Sequence, residues 1–268
     1  VKNLVYHWFF MSTSERPTDT KSLLARLDGA AAYTLTLTDR WDVSPSLVGI
    51  RLEGDLSTLH PLPGNDLMFG IPDAGGDGTF RRRYTIRSIN HEADSLELWV
   101  DRISGGPGAL WAEKTPLGSL VEAIGPRGQV VLDPMADWHL FVGDLSFISA
   151  AYAMAEAIDP PGQALFVLEI PDPADAVLPE LDDHIGVTVC FVERSERSLD
   201  DPTGLIRSLD VLEFPRDDGH VYVGGELHVV AALKHYFGER AIPADALHTK
   251  PYWRLGVSNL PHGEPKKD

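Results

Sequence analysis

Arg82-Arg83-Tyr84-Thr85-Ile86-Arg87 follows a turn-rich loop, Asp73-Ala-Gly-Gly-Asp-Gly78, at the end of an acidic, strand-rich first third of the chain. Read as a strand, it alternates: Arg83, Thr85 and Arg87 share one face, and Arg82, Tyr84 and Ile86 share the other. A guanidinium beside a flat aromatic suits a ligand that carries both an anionic phosphate and a planar ring system. Taken alone, the same six residues also read as a surface ladder of arginines paired with carboxylates. The sequence downstream decides between the two.

That sequence is Gly105-Gly106-Pro107-Gly108-Ala109-Leu110-Trp111-Ala112, then Pro116-Leu117-Gly118, then Gly125-Pro126-Arg127-Gly128. The first run is a turn that opens a helix, and the free backbone N–H groups of such a start are a natural seat for a pyrophosphate. In this order the motifs resemble the siderophore-interacting proteins, flavin reductases related to the ferredoxin reductases. Gly224-Gly225-Glu226 and Tyr252-Trp253-Arg254-Leu255-Gly256 look like that family's closing motifs, so the resemblance runs from about Tyr33 to Gly256.

The resemblance implies an antiparallel FAD-binding β-barrel followed by a parallel-sheet α/β nicotinamide-binding-like domain. The expected division is an extension with a short helix over 1–32, the barrel over 33–133, the α/β domain over 134–260 and a polar tail over 261–268. It further implies FAD as cofactor, NAD(P)H as electron donor and a ferric siderophore as acceptor. Carried onto this chain, Arg82 meets the pyrophosphate, Tyr84 the flavin and ribityl region, and Thr85 the reactive edge of the ring, which makes Thr85 and Tyr84 the expected catalytic pair. Gly106, Pro107, Gly108, Ala109, Leu110, Trp111 and Ala112 cap the phosphates. Arg83, Ile86, Val100, Arg102, Gly143, Asp144, Glu226, Tyr252 and Trp253 complete the expected cofactor-binding set.

Composition narrows the partners independently. The 268 residues include 23 Lys plus Arg against 40 Asp plus Glu, a formal charge of -17 with a pI near 4.9. Nucleic acid and anionic lipid both need clustered cations to release counterions, so neither is an expected partner. An anionic cofactor must instead be held by a local basic site, which Arg82, Arg83 and Arg87 offer. Cys190 is the single cysteine, in the apolar run 186–192, and reads as a small buried hydrophobe. One cysteine and ten scattered histidines supply no conventional zinc or iron–sulfur site, so no intrinsic metal is expected. Ser146 and Ser149 near His139 lack the Gly-x-Ser-x-Gly elbow of a hydrolase. The apolar opening, residues 1–11, is too short for the roughly 20 residues of a membrane span and has no small-residue cleavage site, so a cytoplasmic protein is expected.

Along the chain, helical spacing of Leu23, Leu24, Leu27 and Ala31 predicts a helix over 20–32. Period-two alternation then predicts strands at 33–38, 47–53 and 65–72, with further strands at 96–100, 120–124 and 129–132, as in a closed antiparallel barrel. From 138 onward apolar strands (138–142, 164–170, 187–192, 220–224) alternate with helical patterns at 148–158, 202–209 and 226–237, the grammar of a parallel sheet covered on both faces. No Gly-x-Gly-x-x-Gly follows the first of these strands.

Several positions depart from the family pattern. Arg102 stands for a His and Ala109 for a Ser; Asp144-Leu145-Ser146 replaces Asp-Glu-Thr; Ser149 stands for a Pro, and Lys234 for an Arg. They bear on the nicotinamide side more than on the flavin side. Two functions follow: a ferric-siderophore reductase, or a flavoprotein recruited to a biosynthetic pathway, acting on an intermediate there, with a decayed nicotinamide site. An FAD-free interaction module is a third reading, and a colourless purified protein would mark it.

Overall fold

The computed structural model describes residues 31–72, 79–103, 105–216, 218–240 and 242–257. Two sheets divide them. The first has strands β1 (Ala31–Ser44), β2 (Leu47–Glu53), β3 (Asp66–Pro72), β4 (Thr79–Thr85), β5 (Ser88–Asn90), β6 (Ser95–Asp101) and β7 (Leu120–Arg127). All its ladders are antiparallel, in the order β4-β3-β7-β1-β2-β6-β5. Alternation drives the curl. Leu35, Leu37, Val48, Ile50, Leu52, Leu67, Phe69, Leu96 and Leu98 point to one side and form a core with no water access. The expected closed barrel is a curled half-barrel: β4 and β5 are its two edges, and no ladder among the described residues joins them. Helix α1 (Pro107–Lys114) packs against β2, β3 and β6 and covers one end of the core.

The second sheet is parallel, with β8 (Trp138–Asp144), β9 (Gln163–Ile170), β10 (Gly186–Glu193), β11 (Gly219–Glu226) and β12 (Leu247–Trp253) in the order β10-β9-β8-β11-β12. Helices α2 (Ile148–Ala155), α3 (Thr203–Val211) and α4 (Leu227–Glu239) accompany it. The chain runs outward from β8 in both directions, so the gap between β8 and β11 at their carboxyl ends is the topological switch point, where open α/β sheets bind ligands. Every residue of β8 is buried, as its continuous apolar run predicts.

Some expectations are corrected. Residues 129–132 are not a strand: Leu132 N–H is turned to the 61–65 loop, donating to Pro63 O at 3.1 Å, and the preceding Gly128 O accepts from Asn65 at 3.2 Å. Ala31 and Ala32 open β1 rather than close a helix, and the rest of that expected helix lies outside the described residues, as do the opening segment and the 261–268 tail. The 187–192 strand is an edge strand with half-exposed residues, so Cys190 is only partly covered. Strand β5, and β12 beneath the closing aromatics, were not anticipated. Among the described residues no helix is long and apolar enough to cross a membrane.

Three contacts weld the sheets together. Asp175, fully buried, accepts from Ser44 Oγ and from Ser46 N and Oγ at 2.7–2.9 Å. Arg87 holds Glu156 through both carboxylate oxygens while its guanidinium lies 4.5 Å over the Trp99 ring. Asp66 of β3 takes Lys250 of β12 at 2.6 Å. Buried charge is tolerable in such places only when its donors are all in the protein.

One buried group makes the second sheet acid-labile. His139 is 1% exposed and lies beside the Phe141 and Tyr222 rings; its Nδ1 has no partner among the described residues. Burial, reinforced by His220, lowers its pKa to about 4, against the raising effect of Asp133. An unfolded histidine titrates near about 6.5, so the contribution of neutral His139 is complete above that pH and is lost as pH falls toward 4. We expect the protein to lose on the order of 3 kcal/mol across this window. Thermal unfolding between pH 7.5 and 4.5 measures it, and His139→Phe should flatten the dependence.

Candidate cofactor site between the two sheets

The site grows from the edge strand β4. Its alternation places Arg83 and Thr85 toward the second sheet and Tyr84 against the barrel core. Tyr84 stacks on Trp111 of α1 (5.9 Å between centroids, 12° between planes), and Phe69 packs on both rings. Burial raises the Tyr84 pKa, so the phenol stays neutral. Gly108 is the close approach that permits this: a β-carbon there would lie 1.9 Å from Tyr84 Oη and 3.5 Å from Arg82 Cγ. Arg82, Tyr84 and the Gly106–Gly108 start of α1 therefore converge. Arg82 lies 5.3 Å from the Phe80 ring centroid and donates to Arg81 O; burial lowers its pKa, the mark of a cation short of water. Gly106 is the N-cap of α1 and brings no side-chain acceptor to the helix start. A guanidinium, a helix start without a side-chain cap and an aromatic pair fit a phosphate-bearing flavin nucleotide, the group that the motifs imply.

The other expected residues are placed as follows. Ile86, Val100, Trp111 and Ala112 are barrel core, and β4 ends at Thr85, so Ile86 does not continue its face. Leu110 is exposed. Arg102 is turned to carboxylates: it pairs with Asp42 and lies 3.1 Å from Glu113 of α1. Arg83 donates to Asp66 at 2.7 Å, so Asp66, 1% exposed, sits between Arg83 and Lys250. That trio carries one net positive charge. Asp66 and Lys250 were missed by sequence reading; the signal was a carboxylate inside the apolar run 65–72.

On the second sheet, the carboxyl ends of β8 and β11 lie side by side. Asp144 is buried and spends both oxygens: Oδ1 accepts from Ser146 N (2.9 Å) and Oγ (2.5 Å), and Oδ2 from Glu226 N (2.8 Å) and Trp253 Nε1 (3.0 Å). Burial raises its pKa, opposed by these hydrogen bonds. Gly225 must be glycine, since its φ is +133° and a β-carbon would lie 2.5 Å from Asp144 Oδ2. Glu226, fully buried, caps α4 through His228 N and Val229 N and takes Leu255 N at 3.2 Å. The segment 250–255 is thereby a strap. Lys250 and Tyr252 reach the barrel at Asp66 and Thr85, while Trp253 and Leu255 are tied to Asp144 and Glu226. Ser149, where the family pattern has Pro, is buried on α2 with its Oγ unpartnered among the described residues.

Asp144→Ala strips four donors of their acceptor and should cost about 3 kcal/mol, whereas Ser146→Ala, which removes one donor, should cost about 1 kcal/mol. Urea denaturation of the two variants gives the comparison.

Comparison with known proteins agrees over both sheets. Residues 136–256 match the family model described as siderophore-interacting protein. The ferric vibriobactin reductase ViuB of Vibrio cholerae serotype O1 is 28% identical over 187 residues, 68% of each chain. A siderophore utilization protein from T. fusca superposes with a TM-score of 0.76 at 25% identity, over 87% of this chain and 96% of that one. The ferredoxin reductase in carbazole 1,9a-dioxygenase shares the fold at a TM-score of 0.67 and 18% identity, over 84% of this chain and 68% of that one. The half-barrel followed by a parallel sheet is thus a ferredoxin reductase-like fold, and over residues 136–256 the chain is similar to the siderophore-interacting proteins.

Proposed function

We propose that the protein is a flavin-dependent oxidoreductase that passes electrons from NAD(P)H through FAD to a ferric siderophore. The observation that carries this reading is the convergence of Arg82, Tyr84 and Gly108 at the start of α1. FAD, when bound, supplies acceptance of a hydride and donation of single electrons, which no side chain offers. Arg82 turns its guanidinium to the phosphate, and the first N–H groups of α1 add to it. Tyr84, fixed by Trp111 and Phe69, gives the ligand a flat wall. Thr85 and Tyr252 present hydroxyls to the ring region, and Arg83 with Lys250 leaves one net positive charge beside Asp66, suited to a site where negative charge develops. The donor dinucleotide's place is the crevice at the carboxyl ends of β8 and β11, the switch point of the sheet.

A second reading is favoured by the strap. Trp253 and Leu255 lie bonded across those same strand ends, which supports a recruited flavoprotein whose nicotinamide site has closed.

Two measurements test these readings. Arg82→Ala should weaken FAD binding by roughly 10- to 150-fold, the worth of a charge-assisted contact of about 1.5–3 kcal/mol; unchanged affinity in a flavin titration would remove Arg82 from the site. Anaerobic mixing of the flavin-loaded protein with NADH and NADPH separately should bleach the flavin, and a ferric siderophore should restore its colour. Bound flavin that neither nucleotide reduces would favour the second reading.

A further inference from the structure

Helix α1 has eight residues, no side-chain cap at its N-terminus and Thr115 as C-cap. A helix this short is not stable by itself, so its direction comes from what it is docked on. Trp111 docks its middle on Tyr84 and Phe69, and Glu113 meets Arg102 on one flank. Its carboxyl end is taken by one side chain of another element. Arg40, half-buried on β1, donates Nε to Ala112 O at 2.6 Å and Nη2 to Thr115 O. The last carbonyls of a helix lack intrahelical donors and carry the negative end of its dipole, so a forked cation suits them doubly.

We propose that Arg40 is a positioning residue for the phosphate seat at the opposite end of α1; this rests on the flavin reading above. The helix is a rod of about 12 Å pivoting on Trp111. Freeing its carboxyl end swings Gly106 and Gly108 relative to Arg82 and Tyr84, which do not themselves move. Arg40 thus acts on the ligand through the helix, without touching it, and only on the part of the ligand that α1 faces.

The test separates the phosphate from the ring. Protein stripped of flavin is titrated with FAD and, separately, with riboflavin, which has the ring and no phosphate. Arg40→Gln should raise the Kd for FAD roughly tenfold and leave riboflavin binding as in the parent. Arg40→Lys keeps the charge but loses the fork, and should show the same pattern at smaller amplitude, which also covers the case of a poorly folding Gln variant. If FAD affinity is unchanged, or if FAD and riboflavin weaken alike in both variants, the positioning role is overturned while the flavin reading stands. If the parent itself binds no FAD, both fall.

Discussion

A carboxylate removed from water must find its donors in the protein, and Asp66 finds them on two sheets. Arg83 reaches it from the neighbouring strand of the half-barrel, and Lys250 from the last strand of the parallel sheet. Loss of either donor leaves a buried charge undercompensated, so the two sheets are held in one relation by electrostatics as well as by packing. The placing of β4 opposite the carboxyl ends of β8 and β11 follows from that relation. Asp175 and the Arg87–Glu156 pair repeat the device at other points of the same boundary.

The same economy explains how a chain of charge -17 offers a place for an anion. Most arginines near the site are committed to carboxylates or carbonyls: Arg83 to Asp66, Arg87 to Glu156, Arg102 to Asp42, Arg40 to α1. Arg82, which donates to the Arg81 carbonyl, is the one of these that stands beside Tyr84 and the start of α1. The far field repels anions, but salt screens it beyond about 8–10 Å, so the local arrangement governs binding.

Much of this was legible in the residues. Period-two alternation located β2, β3, β6 and β7, and the continuous apolar runs located β8, β9 and β11, because side-chain direction in a strand depends only on position. The Gly-Pro turn announced α1, and the spacing of motifs pointed to the proteins that the chain resembles. Where sequence reading failed, a distant partner decided. Residues 129–132 have strand composition, but Leu132 N–H is taken by Pro63 of the 61–65 loop instead of a ladder partner. The run around Cys190 is apolar enough for a central strand, yet the order of the sheet leaves it at the edge.

The sequence alone determined which residue types stand in the site and how they are spaced along their own strands and turns, since these follow from local geometry. Tertiary structure decided what each of them stands beside. Arg82 and Arg102 are chemically alike, but one stands beside Gly108 at a helix start and the other is spent on Asp42 and Glu113. Asp144 reads as a ligand contact from its motif, and its four donors from Ser146, Glu226 and Trp253 make it the clamp of the strap. The physical reason is that a polar group's availability is set by the partners folding brings to it, and several of those, such as Asp42, Glu226 and Trp253, lie tens of residues away along the chain.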